Sequence, residues 1–438
     1  MILTDKKVIT IAGGGSGYTP GIVLTMLNHE KLQIKEIRLY DIDEEKNRKM
    51  EVIIQYILEK EKYDIKFIRT ENPKEAFTGV DFVFSQIRVG KMEMREHDEK
   101  IPLKHGVVGQ ETCGLGGFSY GLRSMGSFLE LVGYIQEYAS NAWILNYTNP
   151  ETIIAEAVRR KYPDVKIINA CDMTIGIEEI LSKSFGYDRK NWIPNYYGLN
   201  HFGWYDSIYD VTLERNVMPE ILHGIREKGI DTEGEEESWA HTYKNMEVIV
   251  ENFPEYIPNN YLEYYLYPNL FIDYADPDYT RANEIMDGRL RKISETVEQI
   301  ESGTLIDLDY ESGGHGQYIV DIAASLTHNN NDRFMLIVPN MGAIPNLRKD
   351  AVVEVPCYVN VKGVEAVSLR ENIPDFHKGL MEAQVASEKL LVDAFFENSY
   401  QRALEAFTLN QTVPNAEVAK KVLNEFIEIN KGYWPELK

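Results

Sequence analysis

The stretch "KVITIAGGGSGYTPGIVL", Lys7 to Leu24, runs from a β-branched apolar segment through a glycine-rich turn into a helical pattern opened by Pro20. Side chains on Gly13, Gly14, Gly15 and Gly17 would keep a ligand's phosphates away from the backbone. Glycines with Ser16 let the chain approach a pyrophosphate seated on the helix N-terminus, where unpaired N–H groups and the helix dipole favour anions. The next strand-like run, "EIRLYD", ends in Asp41, twenty residues after Gly21. A carboxylate there suits the ribose hydroxyls of NAD and repels a 2′-phosphate, so the reading is NAD rather than NADP.

Outward from this turn, "IKFIRT", "DFVFSQI", "AWILNY" and "KIINA" continue the strand rhythm to Ala170. Helical spacing fills Pro20–His29 and Asp43–Glu61, and Asn149-Pro150 predicts a further helix with proline at its first position. Strands alternating with helices predict an α/β fold with a Rossmann-like, doubly wound parallel sheet of the lactate/malate dehydrogenase kind. From about Tyr196 the rhythm changes. Short strands around "YYGLNHFGWYDSIYD" lead to a helix-rich middle, a β segment "AVVEVPCYVNV" and amphipathic helices from about Asp375. The expected division is a nucleotide-binding domain over 1–195 and a C-terminal α+β domain over 196–438. With no repeat or flexible linker, the second half is expected to pack directly on the first.

The 438 residues carry a net charge of -23 with 44% hydrophobic residues, a folded chain that repels nucleic acid and anionic membrane. The expected partner is small, and an anionic one needs a local cationic cluster. "MILTDKKVITIAGGG" reaches glycines before a signal-peptide core could form, no run of about 18 apolar residues follows, and the three cysteines are too few for a disulfide framework. The expected location is the cytoplasm.

Cys171 and Asp172 stand where the run ending at Ala170 gives way to a helical pattern. Taken alone, Cys171 reads as a small buried hydrophobe and Asp172 as a helix N-cap. His201, in "YYGLNHFGWYD", follows a strand that can return to the same sheet edge. A cysteine and a histidine brought together there make half of a first-row metal site with positions left for substrate oxygens. Ligand type alone suggests zinc and does not select the metal. Tyr261, Tyr264 and Tyr265 have the i, i+3, i+4 spacing of a core-facing helix. Arg88, Lys91 and Arg95, interleaved with acids, read as a solvated charged face, and Arg281 follows in "DYTRANEIMDGR".

Together, "IAGGGSGYTPGIVL", "IRVGKMEMREHDEKIPLKHGVVGQETCG", "NYTNP", "CDM", "YYGLNHFGW", "TRANE" and "GLMEAQVASEKL" resemble glycoside hydrolase family 4, the NAD- and metal-dependent glycosidases, over nearly the whole chain. The closest resemblance is to its 6-phospho-α-glucosidases. By position, the resemblance implies Cys171 and His201 as metal ligands, Asp172 as the acid and Tyr261 as the base. It implies Arg95, Asn149, Asp172 and Arg281 as substrate-binding residues, with NAD held by Gly13, Gly14, Gly15, Ser16, Gly17 and Asp41. The metal it implies is a divalent ion, manganese first, and the assembly a homodimer or homotetramer. Within the family "C-D-M-P" accompanies α-linked and "C-N-x-P" β-linked 6-phosphoglucosides; here Asp172 keeps the α form and Thr174 replaces the proline.

The implied reaction is hydrolysis of an α-linked 6-phosphoglucoside, such as maltose 6′-phosphate, to glucose 6-phosphate by oxidation, elimination, addition and reduction, with no net redox change. An accessible thiolate at Cys171 also predicts inactivation by oxidation or alkylation. The rival readings are a β-specific or α-galactosidase relative, a lactate/malate-type dehydrogenase that accumulates NADH, and a non-catalytic NAD-sensing sugar-binding protein.

Overall fold

The computed structural model describes residues 6–308, 310 and 314–438. Strands β1 (Lys7–Ala12), β2 (Ile34–Tyr40), β3 (Lys66–Thr70), β4 (Phe82–Ser85), β5 (Trp143–Asn146) and β6 (Ile167–Ala170) lie on the six runs marked by the sequence. They pair in parallel in the order β3-β2-β1-β4-β5-β6, the doubly wound arrangement. Helices α1 (Thr19–Asn28), α2 (Glu44–Lys60), α3 (Pro73–Phe77), α4 (Lys91–Lys104), α5 (Gly114–Ala139), α6 (Glu151–Lys161) and α7 (Met173–Phe185) alternate with them.

The period of two along each strand divides its side chains between two cores. In β1, Ile9 and Ile11 join one cluster with Phe82 and Phe84. Val8 and Ala12 join the other with Val83 and Ile144. A sheet covered on both faces needs such continuous apolar runs, and each fully buried Ile or Phe contributes about 1.5–3 kcal/mol relative to exposure. α2 follows the same logic with a period of 3.6. Asp43 caps it by accepting from Lys46 N, and Met50, Ile53, Ile54 and Ile57 turn one stripe to the core.

The second half contributes β7 (Trp192–Leu199), β8 (Phe202–Asp210), β9 (Arg215–Asn216), β10 (Ile257–Pro258), β11 (Asp332–Pro339), β12 (Val352–Asn360) and β13 (Gly363–Ala366). These strands do not form a separate sheet. β11 pairs antiparallel with β6 through Leu336 opposite Ala170 and Ile337 opposite Asn169. The order then runs β6-β11-β12-β7-β8-β10, with β13 beside β12 and β9 beside β8. The 195/196 position falls inside β7, where the β7–β8 register shifts between Asn195 and Tyr196. The C-terminal helices fold back across the first half, so that Leu391, Phe407 and Phe426 share a core with Phe118 and Leu122 of α5.

Two local expectations change. Pro150 is the N-cap of α6 rather than its first helical residue: its backbone is extended (ψ 122°), the Asn149–Pro150 peptide is cis, and its carbonyl accepts the first helical bond from Ile154 N. Tyr261, Tyr264 and Tyr265 do not share one regular helix. Tyr261 lies in a 3₁₀ turn, Asn260–Leu262, fixed by Asn259, whose side chain accepts from Tyr261 N; a short helix, Glu263–Leu266, carries the other two.

Candidate active site

The glycine-rich turn is held from beneath by the end of β2. Gly13 N and Gly14 N donate to Tyr40 O at 2.9 and 3.0 Å, and Gly15 N donates to Asp41 Oδ2 at 2.9 Å. Gly13 has φ 80°, and a Cβ there would stand 2.8 Å from Gln86 O; one on Gly15 would stand 2.6 Å from Lys46 Cβ. Only glycine fits either place. Ser16 N closes the turn on Gly13 O at 3.0 Å, and Gly17 leads into α1, whose N-cap Tyr18 makes no side-chain capping bond. A close-approach glycine backbone leading into a helix N-terminus without a side-chain cap, beside a carboxylate, fits a pyrophosphate followed by a ribose. Burial raises the Asp41 carboxyl, opposed by the Asp43 and Gly15 amides that donate to it.

Cys171 leaves the carboxyl end of β6, and His201 occupies the tight turn between β7 and β8 with φ 62°. Cys171 Sγ and His201 Nε2 are 3.3 Å apart. Bonds of the length zinc makes, about 2.3 Å to sulfur and 2.0–2.1 Å to nitrogen, put these atoms roughly 3.1–3.6 Å apart at ordinary bond angles, so the pair is spaced to share one first-row divalent ion. Burial pushes His201 down to about 4 despite Glu111 and Asp172, keeping the imidazole neutral and able to bind metal. Burial, with Glu354 and Asp172, pushes the Cys171 thiol up, so metal binding must displace its proton. Among the described residues no group of three or more His, Cys, Asp or Glu could hold a metal ion. A cysteine and a histidine by themselves make half of a four-coordinate metal site.

Arg95 is buried, contrary to the expected solvated face. Its Nε donates to Glu99 at 2.7 Å, and a terminal nitrogen lies 3.1 Å from Glu111, which also receives Arg88 at 2.6 Å. Burial alone would raise the Glu111 carboxyl, but Arg88 and Arg95 outweigh it and hold the group at about 2. Lys91 does remain on the exterior, paired with Asp43 at 2.6 Å. Glu99 also accepts from Ala282 N at 2.9 Å, which docks the helix Arg281–Ile285 on α4 beside Arg95. Arg281 itself pairs with Glu236 and Glu284. Asn149 Oδ1 is a buried acceptor with no hydrogen-bond partner among the described residues.

The family model described as Family 4 glycosyl hydrolase matches residues 8–187, and the Family 4 glycosyl hydrolase C-terminal domain matches residues 196–413. The chain is 46% identical to the maltose-6′-phosphate glucosidase MalH of Clostridium acetobutylicum, covering 99% of each. The chain belongs to glycosyl hydrolase family 4. Two crystal structures of 6-phospho-α-glucosidases from gut microorganisms each superpose with a TM-score of 0.96, covering 99% of this chain and 100% of the other. One, 40% identical, is a complex with NAD and Mn2+; the other, 44% identical, a complex with NAD and glucose 6-phosphate.

In this family 4 chain, Tyr261 faces the Cys171–His201 pair, with its ring centroid 5.1 Å from that of His201, and Trp239 stacks on it at 5.9 Å. Burial raises the phenol well above 10, with Cys113 and Glu111 adding to the rise and Arg95 opposing it. Asp172 stands at the N-cap position of α7, yet its side chain makes no capping bond. The bland capping role is thus not realised. The sequence assigned no role to Glu99, Glu111, Thr112 or Trp239, all of which touch residues of the site. "QETCG" was the only signal for Glu111 and Thr112, and no spacing rule connects it to Arg88, Arg95 or His201. Among the described residues no helix is long and apolar enough to cross a membrane.

Proposed function

We propose that this chain hydrolyses α-linked 6-phosphoglucosides such as maltose 6′-phosphate to glucose 6-phosphate, without net oxidation, using NAD and a divalent metal, manganese first. The observation that carries the reading is the 3.3 Å Cys171–His201 pair beside the Tyr261 ring at the carboxyl ends of the sheet. The relatives crystallised with NAD, Mn2+ and glucose 6-phosphate support it.

When bound, NAD accepts and returns the hydride at carbon 3, and the divalent ion supplies Lewis acidity toward the resulting ketone. Cys171 and His201 hold that ion. Tyr261 removes the proton at carbon 2, its high phenol pKa brought down by positive charge beside His201 and by Arg95. Asp172 gives its proton to the departing glycosidic oxygen. Arg95 and Arg281 receive the phosphate, and Asn149 Oδ1 and Asp172 accept from sugar hydroxyls. Gly13, Gly14, Gly15, Ser16 and Gly17 cradle the pyrophosphate while Asp41 takes the ribose. Residues 1–195 serve as the nucleotide-binding domain and residues 196–438 supply the rest of the substrate and metal site. The working form is a cytoplasmic homodimer or homotetramer, which light scattering checks.

The test is release of p-nitrophenol from its α-glucoside 6-phosphate, with NAD and manganese(II) each present or omitted, beside the β-anomer and the unphosphorylated sugar. Release that requires both additions, without stoichiometric NADH, is the expected result. NADH accumulating on a hydroxy acid, with no p-nitrophenol released, would overturn it.

A further inference from the structure

His201 Nδ1, on the side of the ring away from Cys171, lies 3.2 Å from Thr112 Oγ1. Which of the two donates follows from the next residue along. Gln110 presents one side-chain atom, Oε1, to Thr112 N at 2.6 Å and Cys113 N at 2.7 Å. Backbone N–H groups only donate, so that atom must be the carbonyl oxygen and not the amide nitrogen. The same oxygen lies 3.1 Å from Thr112 Oγ1. An amide oxygen has no proton to give, so the single hydroxyl proton of Thr112 goes to Gln110. Thr112 Oγ1 is then left with lone pairs toward the imidazole, which must donate from Nδ1. With the ring neutral, Nε2 carries a lone pair, and it points at Cys171 Sγ. The opposite arrangement would set Thr112 and Gln110 lone pair against lone pair and put a proton on Nε2, blocking it as a ligand.

We propose that Thr112, held by Gln110, is a positioning residue that fixes the Nδ1–H form of His201 and thereby sets the chain's affinity for a divalent cation. The inference rests on the reading of Cys171 and His201 as the metal pair. The device is anchored, because Cys113 is the N-cap of α5 and the Gln110 oxygen holds two consecutive amides just ahead of that helix. Partners that orient a metal-binding histidine through its second nitrogen typically carry 10–100-fold in metal affinity.

The experiment is manganese(II) binding followed by the electron paramagnetic resonance of free Mn2+, on the full chain with NAD present. It compares the native chain, Thr112→Val, Thr112→Ser, Cys171→Ser and His201→Ala. Valine keeps the shape and removes the hydroxyl; serine keeps the hydroxyl. Thr112→Val should bind Mn2+ about 10–100-fold more weakly, Thr112→Ser near the native value, and NAD affinity by protein fluorescence should be unchanged in both. Native Mn2+ affinity in Thr112→Val, with Cys171→Ser and His201→Ala impaired, would overturn the proposal alone. Equal losses in Thr112→Val and Thr112→Ser would assign the effect to packing of the methyl group and also overturn it. Native affinity in Cys171→Ser and His201→Ala would overturn the underlying metal pair.

Discussion

Asp172 follows Cys171 directly, so the group proposed to protonate the leaving oxygen is tied by one peptide unit to the group proposed to hold the metal. Proton donation matters most when the leaving group is a poor one. Asp172→Asn should slow alkyl α-glucoside 6-phosphates by about 10²–10⁴-fold, while the p-nitrophenyl substrate, which leaves readily, loses far less; paired kcat/KM values check this, and equal losses would count against Asp172 as the acid. Tyr261→Phe keeps the ring contacts with His201 and Trp239 but has no phenol oxygen. Exchange of the carbon 2 proton with deuterated water during turnover should vanish in that variant, as read by mass spectrometry; undiminished exchange would remove Tyr261 from the role. At this scale the sequence marks residues whose chemistry is unusual for their setting: a cysteine beside an acid, or a histidine among aromatics. Glu111 and Thr112 escape such reading because each acts through residues distant in the chain, Arg88 and Arg95 for one and His201 for the other. An acid near arginines on paper is indistinguishable from a hydrated surface until the fold encloses it.

The helix Glu237–Asn252 begins one residue after Glu236, which pairs with Arg281 and also lies near Arg289. A substrate phosphate received at Arg281, as proposed, must displace this carboxylate. Glu236 is half exposed, so the pair is worth only about 0–1 kcal/mol. Glu236→Gln should therefore lower KM for a phosphorylated substrate by up to roughly fivefold, leaving kcat and NAD affinity unchanged; a steady-state comparison reads this directly, and a raised KM would mean Glu236 helps to present Arg281. The parallel strands and the helices between them were legible because period and punctuation agree: β-branched runs, an Asp at the start of α2, glycines before α1. The tyrosine segment was not, because i, i+3, i+4 spacing is shared by a regular helix and by a 3₁₀ turn leading into one. Pro150 illustrates the same limit, since proline suits both the N-cap and the position after it, and only the backbone angle decides.

Across the whole molecule, acid sensitivity should come from groups whose protonation the fold resists. His377, near the start of the helix Asp375–Glu397, is stacked on Trp204 with ring centroids 3.9 Å apart and shares a 2.7 Å hydrogen bond with Tyr197 Oη. Burial lowers it from 6.5 to about 4. The unfolded chain therefore takes up this proton first. The corresponding stability is complete above pH 6.5 and is lost as pH falls toward 4, amounting to something on the order of 3 kcal/mol. Urea midpoints between pH 7 and 4 should fall less steeply for His377→Gln than for the native chain, whatever the offset between them at pH 7. A parallel slope would place the acid sensitivity elsewhere.

The molecule-wide sheet was only half legible, since the strands after Tyr196 could have made a sheet of their own. That they instead continue from β6 has a consequence in time. On the ribosome β6 emerges with Ala170, but its neighbour β11 ends only at Pro339. At about 5–20 residues per second the first half waits roughly ten to thirty seconds with that margin unzipped. Cys171 sits at the unzipped margin throughout, while the hairpin that carries His201 is held from two sides, by α7, where Tyr205 Oη donates to Thr174 O at 3.0 Å, and by β12, through Glu354 opposite Gly198. The proposed nucleotide cradle is complete early in synthesis; the proposed seat for the ion is braced on both sides only once β12, Val352–Asn360, has been made. If Cys171 and His201 hold the ion as proposed, a nascent chain stalled before β12 would offer the cell a thiol whose histidine is braced from one side only.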